Sequence, residues 1–188
     1  MERSLGREKI GLGSLVPLNE KPHWRPHWKI EKFLGDYPGM TAEELKAAGI
    51  EPYETLEFDG NCLLNSGINS IIWPLVAGSG GTAMNSTNSY IGVGDSSTAA
   101  SASQTGLQAA TNKTWQQVSG APTVGSNQQI VFSATFGSAS ANYAWNEICV
   151  GNGSNPPSTG VTLNRLVQTM GTKASGTSWV ATLTITLS

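Results

Sequence analysis

The chain has 188 residues, a formal net charge of −2 and only 13% charged residues. That is room for one domain of ordinary size plus an extension. No run of about 18 apolar residues occurs, which argues against a transmembrane helix, and no basic stripe supports nucleic-acid binding. Two cysteines, Cys62 and Cys149, make no disulfide framework and read as small buried thiols.

The N-terminal stretch "MERSLGREKIGLGSLVPL" carries Glu2 and Glu8 and lacks a compact apolar core, so a signal peptide is not expected. Residues 1–58 hold eight of the eleven basic and ten of the thirteen acidic residues. Pro17, Pro22, Pro26 and Pro38 bias residues 1–40 away from helix and predict an extended arm. Thr41 with Glu44 forms a capping box and Gly49 a stop, which predicts a short helix from Ala42 to Ala48. "YETLEF" could be a first strand. The expected division is therefore residues 1–54, an arm with a short helix, and residues 55–188, a β-sandwich module.

In "NCLLNSGINSIIWPLVAG", Leu64, Ile68, Ile71, Ile72 and Leu75 fall on one helical face. Such a stripe predicts a helix lying against a sheet, ended or kinked near Trp73 by Pro74. After Gly78 the texture changes to short apolar runs between Gly, Ser, Asn and Pro turns. Strands are predicted at Tyr90–Val93, Thr114–Val118, Gln129–Phe136, Tyr143–Val150, Val161–Met170 and Trp179–Leu187. Alternation is clean in Ile130, Phe132, Ala134, Phe136 and in Trp179, Ala181, Leu183, Ile185, Leu187. The predicted class is all-β with minor α: an antiparallel β-sandwich, jelly-roll-like, with one packed helix and an extended N-terminal arm.

The chemistry-bearing residues are few. His23 and His27 sit in a doubled Pro-His-Trp, each directly after a proline, with no third ligand beside them, so no metal site is expected. In the same "KPHWRPHWKIEKF" segment, Trp24, Arg25, Trp28, Lys29 and Phe33 combine aromatic bulk with cations. Trp and Arg are enriched at interface hot spots, and these five residues are read as a partner-binding set. Gly92-x-Gly94 lacks the third glycine of a dinucleotide fingerprint, and Asp95 behind it reads as a turn cap. Glu147 and Arg165 are charges inside strand-like apolar runs and are read as a structural ion pair, with Lys173 an alternative partner for Glu147. No catalytic residue, metal or cofactor is expected, and an enzyme is improbable.

The blocks "YIGVGDSSTAASASQTGLQAATNK", "ANYAWNEICV", "LNRLVQTMGTK" and "WVATLTITLS", preceded by "LLNSGINSIIWPLVAG", resemble a family of virion structural proteins of tailed bacteriophages. The resemblance covers about residues 55 to 188; the "PHWRPHW" leader is similar to that of some actinobacteriophage members, while Pro74 departs from the pattern. It implies a virion component with a compact β-sandwich and leaves its place on the particle open. The leading expectation is a capsid decoration (cement) protein on the virion surface, made in the host cytoplasm and bound to the major capsid protein and to copies of itself, with no nucleic-acid or membrane partner. Removal of residues 1–40 is then expected to leave a folded module that no longer binds heads. A tail, baseplate or fibre-attachment protein is the alternative. A carbohydrate-binding module stacking sugars on Tyr90, Trp115 and Tyr143 is a third reading.

Overall fold

The computed structural model describes residues 23–125 and 127–188. Among these residues ten strands form two five-stranded antiparallel sheets packed face to face. Sheet A has the order β2 (Glu54–Asp59), β1 (Trp24–Leu34), β10 (Thr177–Leu187), β7 (Gln129–Phe136), β6 (Thr123–Gly125). Sheet B has the order β3 (Cys62–Leu63), β9 (Thr162–Thr172), β8 (Ala144–Gly151), β4 (Tyr90–Gly94), β5 (Lys113–Gln117). The antiparallel sandwich expected from the alternating runs is thus the architecture.

The segment expected to be an arm is part of this sandwich. β1 pairs with β10 along its whole length, from Trp24 opposite Leu187 to Leu34 opposite Thr177, and with β2 from His27 to Lys32. A division at residue 54 would therefore cut sheet A, and removal of residues 1–40 would take out the strand between β2 and β10. The portion of the expected arm before His23 lies outside the described residues. Pro26 is tolerated because its missing N–H points beyond the end of β2: its carbonyl, on the same side of the strand, accepts from Gly60 N at 2.9 Å. No bond to β10 is lost.

Strand periodicity explains the doubled Pro-His-Trp. Residues four apart on a strand share a face just as they do on a helix. Trp28 and Ile30 are wholly buried between the sheets, and Trp24 packs partly against the same core. Phe33 points the other way and is buried with Ala42, Leu45 and Val180 beneath α1 (Ala42–Ala47), a small second core. The capping box of α1 is present, with Thr41 and Glu44 bonding reciprocally.

The main core is aromatic. Phe136 and Trp145 meet edge to face at 4.8 Å between ring centroids, and Trp145 meets Trp179 at the same spacing. Lys32 lies inside at the end of β1, its Nζ 4.2 Å from the centre of the Trp179 ring and bonded to Glu54 and to Met170 O. The ammonium is thus paired, hydrogen-bonded and held over a π face.

The helical segment after β3 runs through α2 (Asn65–Gly67), a π-helical turn (Ile68–Ile72) and α3 (Trp73–Val76). Gly67 permits its approach to β9, since a Cβ there would sit 2.6 Å from Leu163 Cα. Trp73 N–H donates to Ile68 O, one residue further back than in an α-helix. The extra residue falls where Pro74 would otherwise drive its ring into the Ser70 carbonyl. The inserted residue rotates everything beyond it by about 100°. Leu64 and Ile71 remain buried, but Leu75, the last residue of the expected stripe, is turned out to solvent.

Candidate functional site

The five expected partner-binding residues do not form one exposed surface. Trp28 and Phe33 have no exposed area and cannot reach a partner. Trp24 is half-buried and donates from Nε1 to Asn61 Oδ1 at 3.0 Å. Lys29 lies on the outer face of sheet A, 3.2 Å from the buried carboxylate of Glu31, which Lys46 of α1 also binds. Arg25 alone of the five is fully on the surface, beside a shallow hollow lined by Trp24, Pro26, Asp59 and Gly60. The reading of this set as a joint anchor is corrected: two members belong to cores, because an edge of free sheet was waiting for them.

His27 likewise serves the sheet. Its Nδ1 lies 2.8 Å from Asp59 Oδ1 and its Nε2 3.9 Å from Glu57, both on β2. Among the described residues no group of three or more His, Cys, Asp or Glu is placed to hold a metal ion, and no helix is long and apolar enough to cross a membrane.

Glu147 and Arg165 are joined on neighbouring strands β8 and β9, on the outer face of sheet B. Arg165 Nε donates to Glu147 Oε2 at 2.6 Å, and both side chains are entirely buried. What buries them is the long connection from Asp95 to Asn112, which folds back over this face. Glu147 accepts from the backbone N–H groups of Gln108 and Ala109. The two remaining guanidinium nitrogens reach Gln104 Oε1 at 2.9 Å and Thr98 O at 3.0 Å. The neck of the loop is closed by Asp95 and Asn112, whose side chains bond at 2.7 Å. The pair is therefore a clamp on a loop as much as a bridge between strands. Lys173 does not compete for Glu147: its Nζ bonds Gly137 O and Asn142 Oδ1.

This clamp accounts for the "YIGVGD" motif. A Cβ at Gly94 would lie 2.4 Å from Glu147 Oε1, and one at Gly92 would lie 2.7 Å from the ring of Trp115. Both glycines make room on the outer face of sheet B, one for a carboxylate and one for an indole. Trp115 is consequently held against the sheet, and Tyr143 spends its hydroxyl on Val93 O and Thr114 Oγ1. Burial pushes the Tyr143 phenol up to about 12. Neither ring stands free as a sugar platform. On the same face Cys149 is buried, and burial raises its thiol well above the ordinary range, followed by the nearby Glu147 charge. It is an inert thiol rather than a nucleophile. Cys62 and Cys149 are both free.

What sequence reasoning missed is an exposed apolar cluster at the end of the helical segment. Trp73 is 57% exposed, Leu75 46% and Val76 74%. The apolar periodicity concealed it, because periodicity assumes an unbroken α-helical register; Pro74 was the available signal. The five charges beyond Gly60 also sort unevenly. Glu147, Arg165 and Lys173 are buried, which leaves Asp95 and Lys113 to charge the surface of residues 60–188.

No family model matches the chain, and no curated protein or solved structure was found to match it.

Proposed function

We propose that the protein is a structural component of a bacteriophage particle, a capsid decoration protein that attaches to the major capsid protein through the apolar cluster Trp73, Leu75 and Val76. The observation that carries this reading is that cluster, set in residues 60–188, whose surface carries only Asp95 and Lys113 as charges. Three large apolar side chains together on a short helix end suit insertion into an apolar pocket. A surface of Ser, Thr, Asn and Gly offers little electrostatic repulsion between neighbouring copies. Both features suit close packing on a lattice. The buried Glu147–Arg165 clamp is compatible with a scaffold role, since all three guanidinium nitrogens and the carboxylate are used internally.

The mechanism is mass action. A protein that binds the assembled shell and not its free subunits shifts the equilibrium toward the shell, and many copies make a modest contact effective. The test is copy number in purified particles, measured against the major capsid protein by quantitative mass spectrometry. A simple fraction of the capsid copy number supports decoration; a few copies per particle assigns the protein to the tail or baseplate. Absence from particles sinks both.

A further inference from the structure

At one end of the sandwich, where β9 finishes and β8 begins, a lysine amine is held against a side-chain carboxamide. Lys173 directly follows β9, and its N–H donates to Tyr143 O at 3.1 Å. Its side chain is buried, with the whole residue only 1% exposed. The Nζ donates at 2.8 Å to Asn142 Oδ1 and at 2.8 Å to Gly137 O. Asn142 is fixed in turn: its Nδ2 donates to Ser138 O at 2.8 Å, which leaves Oδ1 facing the amine. The residue before it, Ala141, lies in the left-handed region (φ 54°), and its carbonyl accepts from Trp145 Nε1 at 3.0 Å. A carboxylate completes the group. Asp36 Oδ1 accepts from Ser138 N at 2.8 Å, beside the two residues that bind the amine and the amide.

This is an expensive way to bury a lysine. Both acceptors of the ammonium are neutral oxygens, which repay the loss of water poorly. Burial lowers the amine to about 8, opposed in part by the negative charge of Asp36. A fraction of neutral amine is therefore available in mildly alkaline solution, and only the neutral amine is a nucleophile.

We propose that Lys173 and Asn142 react to form an intramolecular isopeptide bond that staples the start of β8 to the end of β9. The Nζ lone pair attacks Asn142 Cγ, forming the Nζ–Cγ bond. The Cγ–Nδ2 bond breaks, and Nδ2 leaves as ammonia, taking up the proton that Nζ gives away. Asp36 acts as a positioning carboxylate: by accepting from Ser138 N it holds the 137–142 turn that sets the amide against the amine. No oxidant or co-reactant is required. The reaction is unimolecular, with the amine already hydrogen-bonded to the carboxamide oxygen, so much of its entropic barrier is removed by the fold.

The experiment is the intact mass of the purified full-length chain, measured after denaturation and after prolonged incubation of the folded protein at pH 9. The expected result is a mass one ammonia below that of the sequence, with a branched peptide joining residues 142 and 173 after digestion. Lys173→Met and Asn142→Ala are expected to keep their full sequence masses, and Asp36→Ala, which removes the acceptor of Ser138 N, to slow the loss of ammonia by on the order of a hundredfold. A wild-type chain that retains its full mass after the incubation overturns the proposal, as does a loss of ammonia that digestion maps to any other residue. Neither reading of the wild-type mass depends on a variant folding.

Discussion

Two tryptophan-bearing segments of this molecule exchange the roles that their surroundings in the sequence suggest. Trp24 and Trp28 lie in a proline-punctuated, charged stretch that looks like an arm, yet Trp28 is wholly enclosed and Trp24 half so. Trp73 lies at the end of an apolar helical stripe that looks like core, yet it is more than half exposed. The difference teaches that periodicity identifies residues sharing a face without saying what that face meets. A spacing of four serves a strand and a helix equally. β10 and β2 supply the pairing that makes the first segment a strand. A single π turn at Ile68–Ile72 takes the end of the second out of register.

The largest effect that would sharpen this contrast is on stability. Trp28→Ala is expected to cost about 3–5 kcal/mol, read from urea unfolding, because it opens a cavity between the sheets. A loss under 1 kcal/mol would break the comparison by returning Trp28 to an exposed arm. Ile71→Ala, on the part of the helical segment that stays in register, is expected to cost about 2–4 kcal/mol by the same measurement. Trp24→Phe keeps the apolar ring but leaves Asn61 Oδ1 without its indole donor; a loss of about 1–2 kcal/mol is expected. The smallest effect belongs to Trp73, Leu75 and Val76. Replacing all three by Ser is expected to leave stability within about 0.5 kcal/mol per site. Under the proposed function the same triple variant loses particle binding in a co-sedimentation assay, whereas Trp28→Phe retains it. Retained binding by the triple variant would show that the cluster is not the attachment face.

A further pH-dependent contrast follows from Tyr143. Its folded value, about 12, lies above the ordinary 10. The neutral phenol is thus the form that the fold favours. The stability it contributes is fully present below pH 10 and is lost as pH rises from 10 toward 12. A Tyr143→Phe chain should show a weaker decline over that window in thermal melts.

Much of the architecture was legible in the residues themselves. The alternation in Gln129–Phe136 and in the last strand could be satisfied only by half-buried antiparallel strands, and both occur where expected. The capping box at Thr41 and Glu44 fixed α1, since its two bonds are local. Glu147 and Arg165 were legible as partners because two lone charges in apolar strands have few other solutions. Their second duty, clamping the 95–112 loop, was not, because the loop residues involved contribute chiefly backbone N–H and C=O groups that every sequence carries.

The sequence by itself therefore determined the strand periods, the helix cap, the scarcity of charge and the need to pair the buried ions, all of which depend on neighbours in the chain. Only the tertiary structure decided that β1 sits between β2 and β10, that the π turn exposes Leu75 with Trp73, and that Lys173 meets Asn142. Those outcomes depend on which distant backbone offers a free edge and which turns converge at one end of the sandwich. A short local pattern carries no information about either.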